Sequence, residues 1–429
     1  MSKAAALIGL MCGRVPVALV LAIAVVPAGC LGRDDSGRVA PAACLAEADA
    51  PKAANTAVVA LLAEVDPRTG AARGPGDRLV RVSLPGGAVE VERALPQQAG
   101  RRGAAAARTL RLDAAPGRLL ATARDGPTIA VLHRDPASAR DRIVVIDGQT
   151  LRVRCSRPLE GGVRYGGLLL GRSRVYAYGA RRAGRGLWDA VLSVGDLRTG
   201  EPLVTRTLRE GQPARGSRDW FVYWGALSQD ERRLILSYHG SSTTGADRFR
   251  VSAEGSVSRE RLAAGPCGRR PCGPGWTDIG RAHGAIAAVG SGFVAATGGD
   301  RLLVLDRDGR ATGSLPLRST QTHLMDFAVD HGHPLIYVSG CGRKPAIQRL
   351  HLTRGERAPV PSGNLCGRPL AAHNDRYLVL DASRVDRLGY PVRPDGMRLL
   401  DLRNPGGGRR IPLPRSARAL DAVVVQLRR

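Results

Sequence analysis

The stretch Ser-Val-Gly-Asp-Leu-Arg-Thr-Gly at residues 193–200 is the fullest copy of a short pattern that recurs along the chain. In this pattern an apolar run ends in Asp, two or three polar residues follow, and Gly closes the sequence. It is typical of a β-hairpin in which Asp accepts hydrogen bonds from the turn amides and Gly supplies a positive φ. Complete, shortened or Asp-less copies predict seven turns, at residues 64–70, 146–150, 193–200, 251–255, 303–309, 350–355 and 399–403.

Between Asp147 and Asp401 these turns fall roughly every 46 to 56 residues, the size of a unit of two hairpins with variable loops. A four-stranded sheet with two apolar faces is not stable alone, so we expect the sheets to stack around a common axis. The apolar segment 422–427 and an N-terminal unit short of strands indicate that the two ends pair within one sheet. The other hairpin of each unit is predicted at residues 110–122, 168–178, 224–238, 286–296, 327–339 and 371–380.

The hairpin Ala-Leu-Ser-Gln-Asp-Glu-Arg-Arg-Leu-Ile-Leu-Ser at residues 226–237 resembles the first hairpin of WD40-like and YVTN-type bacterial propellers. In that group the turn reads Pro-Asp-Gly, whereas here it reads Gln229-Asp230-Glu231. The periodicity and the resemblance together imply an all-β fold, a seven-bladed β-propeller over residues 55–429 closed by pairing of the N- and C-terminal strands. Members of this broad group include lactonases, quinoproteins and non-enzymatic scaffolds, so the fold alone assigns no activity.

Residues 1–29 have the layout of a secretory signal, with Arg14 before the apolar run 15–26 and small residues before Cys30. Ala28-Gly29-Cys30 resembles the end of a bacterial lipobox, whose Cys carries the lipid and becomes the first residue of the mature protein. Pro27 departs from the Leu, Val or Ile of that pattern.

Two localisations follow from this N-terminus. The first is the outer face of the cytoplasmic membrane, with the protein held as a lipoprotein through Cys30. The second is an ordinary secreted protein cut later, for instance after residues 40–42. In either case residues 30–54, which are rich in Ala, Asp and Pro, are predicted to form a flexible tether.

The cysteines predict disulfides, because an exported chain with an even number of them commonly forms bridges. Removal of Cys12 with the signal and lipidation of Cys30 leave six candidates: Cys44, Cys155, Cys267, Cys272, Cys341 and Cys366. One of the fifteen possible connectivities pairs 44 with 155, 267 with 272 and 341 with 366. The alternative is metal binding at 267 and 272, which no second close pair of Cys or His supports.

The formal net charge of +26 comes from arginine, since only three of the 64 basic residues are lysines. These arginines are spread along the chain among Asp and Glu, and aromatic residues make up only 4% of the sequence. Nucleic-acid-binding proteins instead concentrate basic residues on one element with stacking aromatics. We therefore expect that the protein does not bind nucleic acid. Its expected partner is a protein or an anionic cell-envelope polymer, and we expect the protein itself to be a monomer.

The sequence contains no Gly-x-Ser-x-Gly, complete Gly-x-Gly-x-x-Gly, phosphate loop or His-Glu-x-x-His motif. A histidine group with interspersed carboxylates could hold a metal, but turn histidines in solvent explain the same residues and no metal site is predicted. The group consists of His323, His331 and His333 with Asp326 and Asp330.

Two further segments could bind a ligand. Trp220 and Trp224 could stack on a sugar or a peptide, although their alternation with Phe221 and Tyr223 also fits a buried strand. The polar segment 238–247 could line one mouth of a central channel, and an ordinary hairpin loop is the alternative. Its candidate ligand-binding residues are His239, Ser241, Ser242 and Thr243.

The sequence therefore predicts an exported, non-enzymatic binding or scaffolding module with no cofactor and no catalytic residue. The alternative is a channel-site enzyme of the lactonase or sugar-dehydrogenase type with a divalent ion or a quinone. That enzyme requires three or more His, Asp or Glu side chains from different blades at one channel mouth. A cell-wall or polysaccharide binder requires an exposed ring at Trp220 or Trp224.

Overall fold

The computed structural model describes the chain in segments between Asn55 and Leu427, so the signal and tether predicted for residues 1–54 lie outside the described residues. Across these segments the regular elements are β-strands, and the structure describes no helix long and apolar enough to cross a membrane. The described residues are 55–65, 72–84, 86–95, 118–123, 127–135, 140–213, 221–239, 244–260, 266–267, 270–271, 285–296, 301–316, 327–331, 333–340, 346–360, 365–385, 391–404, 408–414 and 417–427.

The strands of sheets 1 to 3 come from both ends of the chain and from its first half. Sheet 1 contains β1 (Asn55–Val65), β2 (Ala72–Ser83), β3 (Val89–Ala94) and β30 (Ala417–Leu427). Sheet 2 contains β4 (Leu120–Thr122), β5 (Thr128–Asp135), β6 (Arg140–Asp147) and β7 (Val153–Pro158). Sheet 3 contains β8 (Val163–Leu170), β9 (Arg174–Gly184), β10 (Leu187–Asp196) and β11 (Val204–Pro213).

Sheets 4 and 5 follow, separated by a short two-stranded ribbon. Sheet 4 contains β12 (Phe221–Leu227), β13 (Arg233–His239), β14 (Thr244–Val251) and β15 (Val257–Glu260). The ribbon consists of β16 (Pro266–Cys267) and β17 (Arg270–Pro271). Sheet 5 contains β18 (Ile286–Val289), β19 (Gly292–Ala296), β20 (Arg301–Leu305) and β21 (Ala311–Pro316).

Sheet 6 has eight strands, in two halves of four. The first half contains β22 (Phe327–His331), β23 (Leu335–Gly340), β24 (Ala346–His351) and β25 (Glu356–Val360). The second half contains β26 (Leu365–His373), β27 (Tyr377–Val385), β28 (Pro391–Asp401) and β29 (Arg409–Arg410). The halves join where β22 pairs parallel with β26, at Asp330 opposite Ala372 and His331 opposite His373.

This arrangement is an all-β, β-propeller architecture built of four-stranded antiparallel units. The sequence predicts seven separate blades. The described residues form five separate four-stranded sheets, because the eight strands from β22 to β29 are joined in the one continuous sheet 6. The first and last strands share one sheet: β1 pairs antiparallel with β30 from Asn55 opposite Leu427 to Glu64 opposite Ala417.

The core lies between the sheets, as the two apolar faces of each strand require. In β1 the alternating residues Val59 and Leu61 pack towards sheet 2, whereas Val58 and Ala60 pack towards the second half of sheet 6. Similar apolar clusters lie between successive sheets along the chain. Such packing buries both faces of a sheet without a helix layer.

The recurring turn has the predicted geometry. Asp196 accepts hydrogen bonds at Oδ1 from the backbone N of Arg198 (2.7 Å) and Thr199 (3.0 Å), and Gly200 has φ 76°. This turn joins β10 to β11, the third and fourth strands of sheet 3. The copy at residues 64–70 has a different position in its sheet. It falls between β1 and β2, which are the second and third strands of sheet 1 when β30 is counted as the first. The equivalent turn of sheet 1 instead lies between β2 and β3, where Gly87 N donates to Ser83 O (2.9 Å).

Five of the six predicted partner hairpins coincide with observed strand pairs, from β8–β9 to β26–β27. Most of the sixth, predicted at 110–122, lies outside the described residues, which begin there at residue 118. The observed pair in that region is β4 with β5, which spans residues 120–135.

Candidate functional site

One cavity of about 760 Å³ is bordered by a strand from every four-stranded unit. These inner strands are β4, β8, β12, β18, β22, β26 and β30, and each contributes residues to the lining. A volume of this size falls within the usual range of small-molecule sites, about 300 to 1,000 Å³. The cavity therefore occupies the position of a propeller's central channel.

The wall of the cavity is mainly aliphatic. Ala121, Leu170, Ala288, Val329 and Val424 represent five different inner strands in this wall. Small and branched residues of this kind leave space along the axis and offer no hydrogen-bonding side chain. An apolar molecule or group would be the natural occupant of this part of the cavity.

Arg118 and Asp421 lie at one end of the cavity, beside the first lining residues of the inner strands. Their side chains form a brace, a set of hydrogen bonds that connects several of the four-stranded units. The guanidinium of Arg118 donates from Nη1 to Asp421 Oδ1 (2.8 Å) and to the carbonyl of Leu370 (2.7 Å). Its Nη2 donates to the carbonyl of Phe327 (3.0 Å), and its own carbonyl accepts from the backbone N of Leu168 (3.0 Å). Arg118 thus connects the inner strands of sheet 3, both halves of sheet 6 and sheet 1.

Asp421 completes the brace from β30. Its side chain is 5% exposed, and Oδ2 accepts from the backbone N of Leu119 (2.8 Å) and Leu120 (3.0 Å). A buried carboxylate is stable only when it is paired and hydrogen-bonded, and Asp421 is both. The brace is consequently a structural element of this end of the cavity.

The opposite end of the cavity carries a buried carboxylate and a buried imidazole. Asp330, at the end of β22, accepts hydrogen bonds from the backbone N of Asn374 (3.0 Å) and Asp375 (2.7 Å). His373, the last residue of β26, is also buried, and its Nδ1 has no hydrogen-bond partner among the described residues. His333 lies nearby in the exposed turn between β22 and β23. We call Asp330, His333 and His373 the mouth group.

The turn that contacts Asp330 is held in an unusual conformation. Asn374 and Asp375 have φ values of 55° and 50°, in the left-handed region that non-glycine residues seldom occupy. Asp375 is fixed from the other half of sheet 6, since it accepts hydrogen bonds from the Tyr337 hydroxyl (2.8 Å) and Arg349 Nη1 (2.9 Å). The surrounding contacts therefore hold a strained turn against Asp330.

Burial controls the protonation of the mouth group. Burial raises the pKa of Asp330 to about 6, against the lowering effects of the two backbone N–H donors and of the His333 charge. Burial, together with the His333 charge, lowers the pKa of His373. At neutral pH Asp330 is therefore a carboxylate and His373 a neutral imidazole, and both can accept hydrogen bonds from a cationic or donor head group.

The structure places only some of the predicted ligand residues. Trp224 lines the cavity from β12, but only 3% of the residue is exposed, so little of its ring is open for stacking on a sugar. Trp220, Ser241, Ser242 and Thr243 lie outside the described residues, and so does the side chain of His239. Of the predicted histidine group, His323, Asp326 and the side chain of His331 lie outside the described residues. His333 and Asp330 reach the cavity.

Among the residues that the structure describes, no three His, Cys, Asp or Glu side chains are arranged to hold a metal ion. Cys155 on β7 is buried, and the side chains of the other five candidate cysteines lie outside the described residues. The pairing of Cys155 with Cys44 stays a prediction, as do the pairings of the other four cysteines.

Sequence reasoning missed Arg118, Asp421 and His373. Asp421 gives a weak signal, because it is a single charge within the apolar stretch 419–425. Arg118 and His373 give none, since both are polar residues in ordinary turn-rich surroundings. Their role depends on strands that are distant in the sequence.

No protein-family model and no curated protein matches this chain. Solved structures do match it. Puromycin hydrolase, in its S511A mutant complexed with PGG, is 18% identical, with a TM-score of 0.48 and 88% of this chain covered. This chain spans only 56% of puromycin hydrolase.

Two other structures match over almost their whole length. The β-propeller domain of the Trilobed protease from Pyrococcus furiosus is 13% identical, with a TM-score of 0.45, 85% of this chain covered and 98% of that domain. A protein from Lactobacillus plantarum is 14% identical, with a TM-score of 0.49, 87% of this chain covered and 100% of its own. At these identities the similarity concerns the fold and transfers no activity.

Proposed function

We propose that this chain is an exported, non-enzymatic binding module: a closed seven-bladed propeller, held on the outer face of the membrane by a lipid on Cys30. Its channel takes a small amphipathic ligand, with the apolar part along the aliphatic wall and the polar head at the mouth group. The observation that carries this proposal is a cavity bordered by all seven inner strands, apolar along its wall and polar at its mouth.

The seven-bladed ring is supported by the structure of sheet 6. Its two halves have the same four-strand order as sheets 2 to 5, and among the described residues the strand pairing between them consists of the two parallel pairs at residues 330–331. We interpret them as two blades whose inner strands touch. Closure is supported by the pairing of β1 with β30 and by the apolar cluster between sheet 1 and the second half of sheet 6.

Ligand binding is tested with Nile red, a neutral apolar dye whose fluorescence rises in an apolar site. Wild-type protein should bind it saturably. Ala121→Phe and Ala288→Phe each place a phenyl ring in the channel. This ring occupies space that the dye needs, so each variant should bind the dye about tenfold more weakly or worse. Ala311→Phe adds the same ring to an exposed strand residue and is the matched control. Equal binding by all four proteins would contradict the proposal.

The mouth group is tested by competition. Dodecylamine should displace the dye more strongly than dodecanoate, since Asp330 attracts a cationic head group and repels a carboxylate. Asp330→Asn removes the charge and should abolish the difference between the two amphiphiles. If the preference persists in this variant, the head group does not lie at Asp330.

The anchor is tested by the intact mass of the membrane-extracted mature protein. We expect a mass that begins at Cys30 and includes acyl chains, and Cys30→Ser should release the protein from the membrane fraction. An unmodified mass beginning near residues 40–42 would instead identify a secreted protein.

A further inference from the structure

A second polar site lies away from the channel, between sheets 4 and 5. We call it the arginine cleft. Strands β13 to β15 of sheet 4 contribute three arginines and one carboxylate, and the turn between β20 and β21 of sheet 5 contributes an arginine and an aspartate. The residues are Arg233, Arg248, Arg250 and Glu260 from sheet 4, with Asp308 and Arg310 from sheet 5.

Strand register gathers the sheet 4 residues on one face. Arg233 lies opposite Arg250 across the β13–β14 pair, and Arg248 lies opposite Glu260 across the β14–β15 pair. Arg248 and Arg250 are two residues apart, so both project to the same side of β14. On that side Ile235 belongs to the apolar cluster shared with sheet 5, so this face packs against sheet 5. The arginines extend the packed face outwards from the apolar cluster.

The carboxylates of the cleft do not balance its guanidinium groups. Glu260 is shared by three arginines: its Oε2 lies 2.7 Å from Arg248 Nε and 3.5 Å from Arg233 Nε, and its Oε1 accepts from Arg250 Nε at 2.8 Å. Asp308, which is half exposed, lies 3.4 Å from Arg233 Nη2. The four arginines of this set therefore exceed its two carboxylates by two formal charges.

The guanidinium of Arg248 contains a buried hydrogen-bond donor that has no acceptor among the described residues. Only 12% of its side chain is exposed, and its Nη1 is buried with no hydrogen-bond partner among the described residues. Burial lowers the pKa of Arg248, and the neighbouring charges of Arg233 and Arg310 add to this effect. A buried guanidinium without an acceptor is costly, and an anion placed against Nη1 would remove both the unpaired donor and the charge excess.

We propose that the arginine cleft binds a tetrahedral oxyanion of the phosphate or sulfate type, through Arg248 Nη1 with the support of Arg310. Guanidinium forks match the oxygen geometry of phosphate, and partial burial strengthens each charge-assisted hydrogen bond. The same anion chemistry is present in free phosphate and in the phosphodiester groups of an anionic polymer. This site is independent of the channel, so either proposal can fail without the other.

The test uses the mature wild-type protein and three variants at constant ionic strength. Equilibrium dialysis measures binding of radiolabelled inorganic phosphate, and a parallel titration uses inorganic polyphosphate as the polymer probe. Arg248→Gln removes the buried guanidinium, and Arg310→Gln removes an exposed one whose loss should not impair folding. The matched control is Arg354→Gln, an exposed arginine with a loose ion pair to Glu356 at 3.8 Å.

We expect saturable binding by the wild type, weakened about tenfold or more by Arg248→Gln, weakened less by Arg310→Gln and unchanged by Arg354→Gln. Binding of free phosphate with this dependence identifies a small-anion site. Binding of polyphosphate alone, with the same dependence, identifies the polymer as the source of the anion. The proposal would be overturned if neither probe bound saturably, or if the wild type and Arg310→Gln bound equally well. If Arg248→Gln fails to fold, the comparison of Arg310→Gln with the wild type is the test of the proposal.

Discussion

Asp421→Ala should strongly destabilise this protein, because it removes the acceptor at the centre of the Arg118–Asp421 brace. The carboxylate is almost fully buried, and it accepts from the Arg118 guanidinium at 2.8 Å and from the backbone N of Leu119 and Leu120 at 2.8 and 3.0 Å. Each buried donor left without an acceptor costs about 1–3 kcal/mol. The Arg118 side chain is 24% exposed and recovers part of its loss through water.

Together these losses predict that the free energy of unfolding falls by about 3–5 kcal/mol, the usual result of breaking a buried pair. Arg118→Met should cost less, since Asp421 would keep its three backbone donors, the N–H groups of Leu119, Leu120 and Ala422. The double variant should lose less than the sum of the single variants, by about 0.5–3 kcal/mol, if the two groups act as a unit.

The assay is equilibrium unfolding in urea followed by far-ultraviolet circular dichroism. Glu356→Ala is the matched control, because the Glu356 side chain is 60% exposed and its ion pair with Arg354 is loose. The free energy of unfolding of this variant should differ from that of the wild type by less than about 0.5 kcal/mol. An Asp421→Ala protein within about 1 kcal/mol of the wild type, with an unchanged denaturant slope, would refute the structural role assigned to the brace.

Three further predictions concern protonation, packing and disulfides. Because burial raises the pKa of Asp330 from an ordinary 3.8 to about 6, the folded protein holds this proton more tightly than the unfolded chain. Wild-type stability, compared with Asp330→Asn, should therefore fall as the pH rises from about 4 to 6, measured by urea midpoints; a flat difference would contradict the shift. A Cβ at Gly179 would lie 2.8 Å from a backbone Cα of β8, so Gly179→Ala should lower the free energy of unfolding by about 1–3 kcal/mol, whereas Gly313→Ala, with open space around it, should not. Non-reducing peptide mapping should yield a linked pair containing Cys44 and Cys155, and a different partner for Cys155 would reject the predicted connectivity.

The local rules of the fold could be read from the sequence because they depend on neighbouring residues. The Asp196 turn illustrates this, since its Asp, its two polar residues and Gly200 form the whole unit of hydrogen bonding and positive φ. The copy at residues 64–70 shows the limit of the same rule. It has the residues of the pattern, but it joins the second and third strands of sheet 1, because β30 from the C-terminus is the first strand of that sheet. A local pattern carries no information about a strand more than 300 residues away.

The candidate site was only partly predictable for the same reason. The sequence singled out Asp330 and His333 in a turn, but it gave no indication that Asp330 is buried or that the turn at Asn374 closes over it. The parallel contact between β22 and β26 brings His373 into the same mouth, and nothing in the intervening residues encodes that contact.

The amino-acid sequence by itself determined strands with two apolar faces and the turns that join them, and hence a stack of small sheets. Only the tertiary structure decided which polar side chains meet inside that stack. Arg118 and Asp421 are separated by 303 residues and lie 2.8 Å apart. The channel is assembled from one strand of each unit, so its chemistry depends on how the units pack together and not on any one of them.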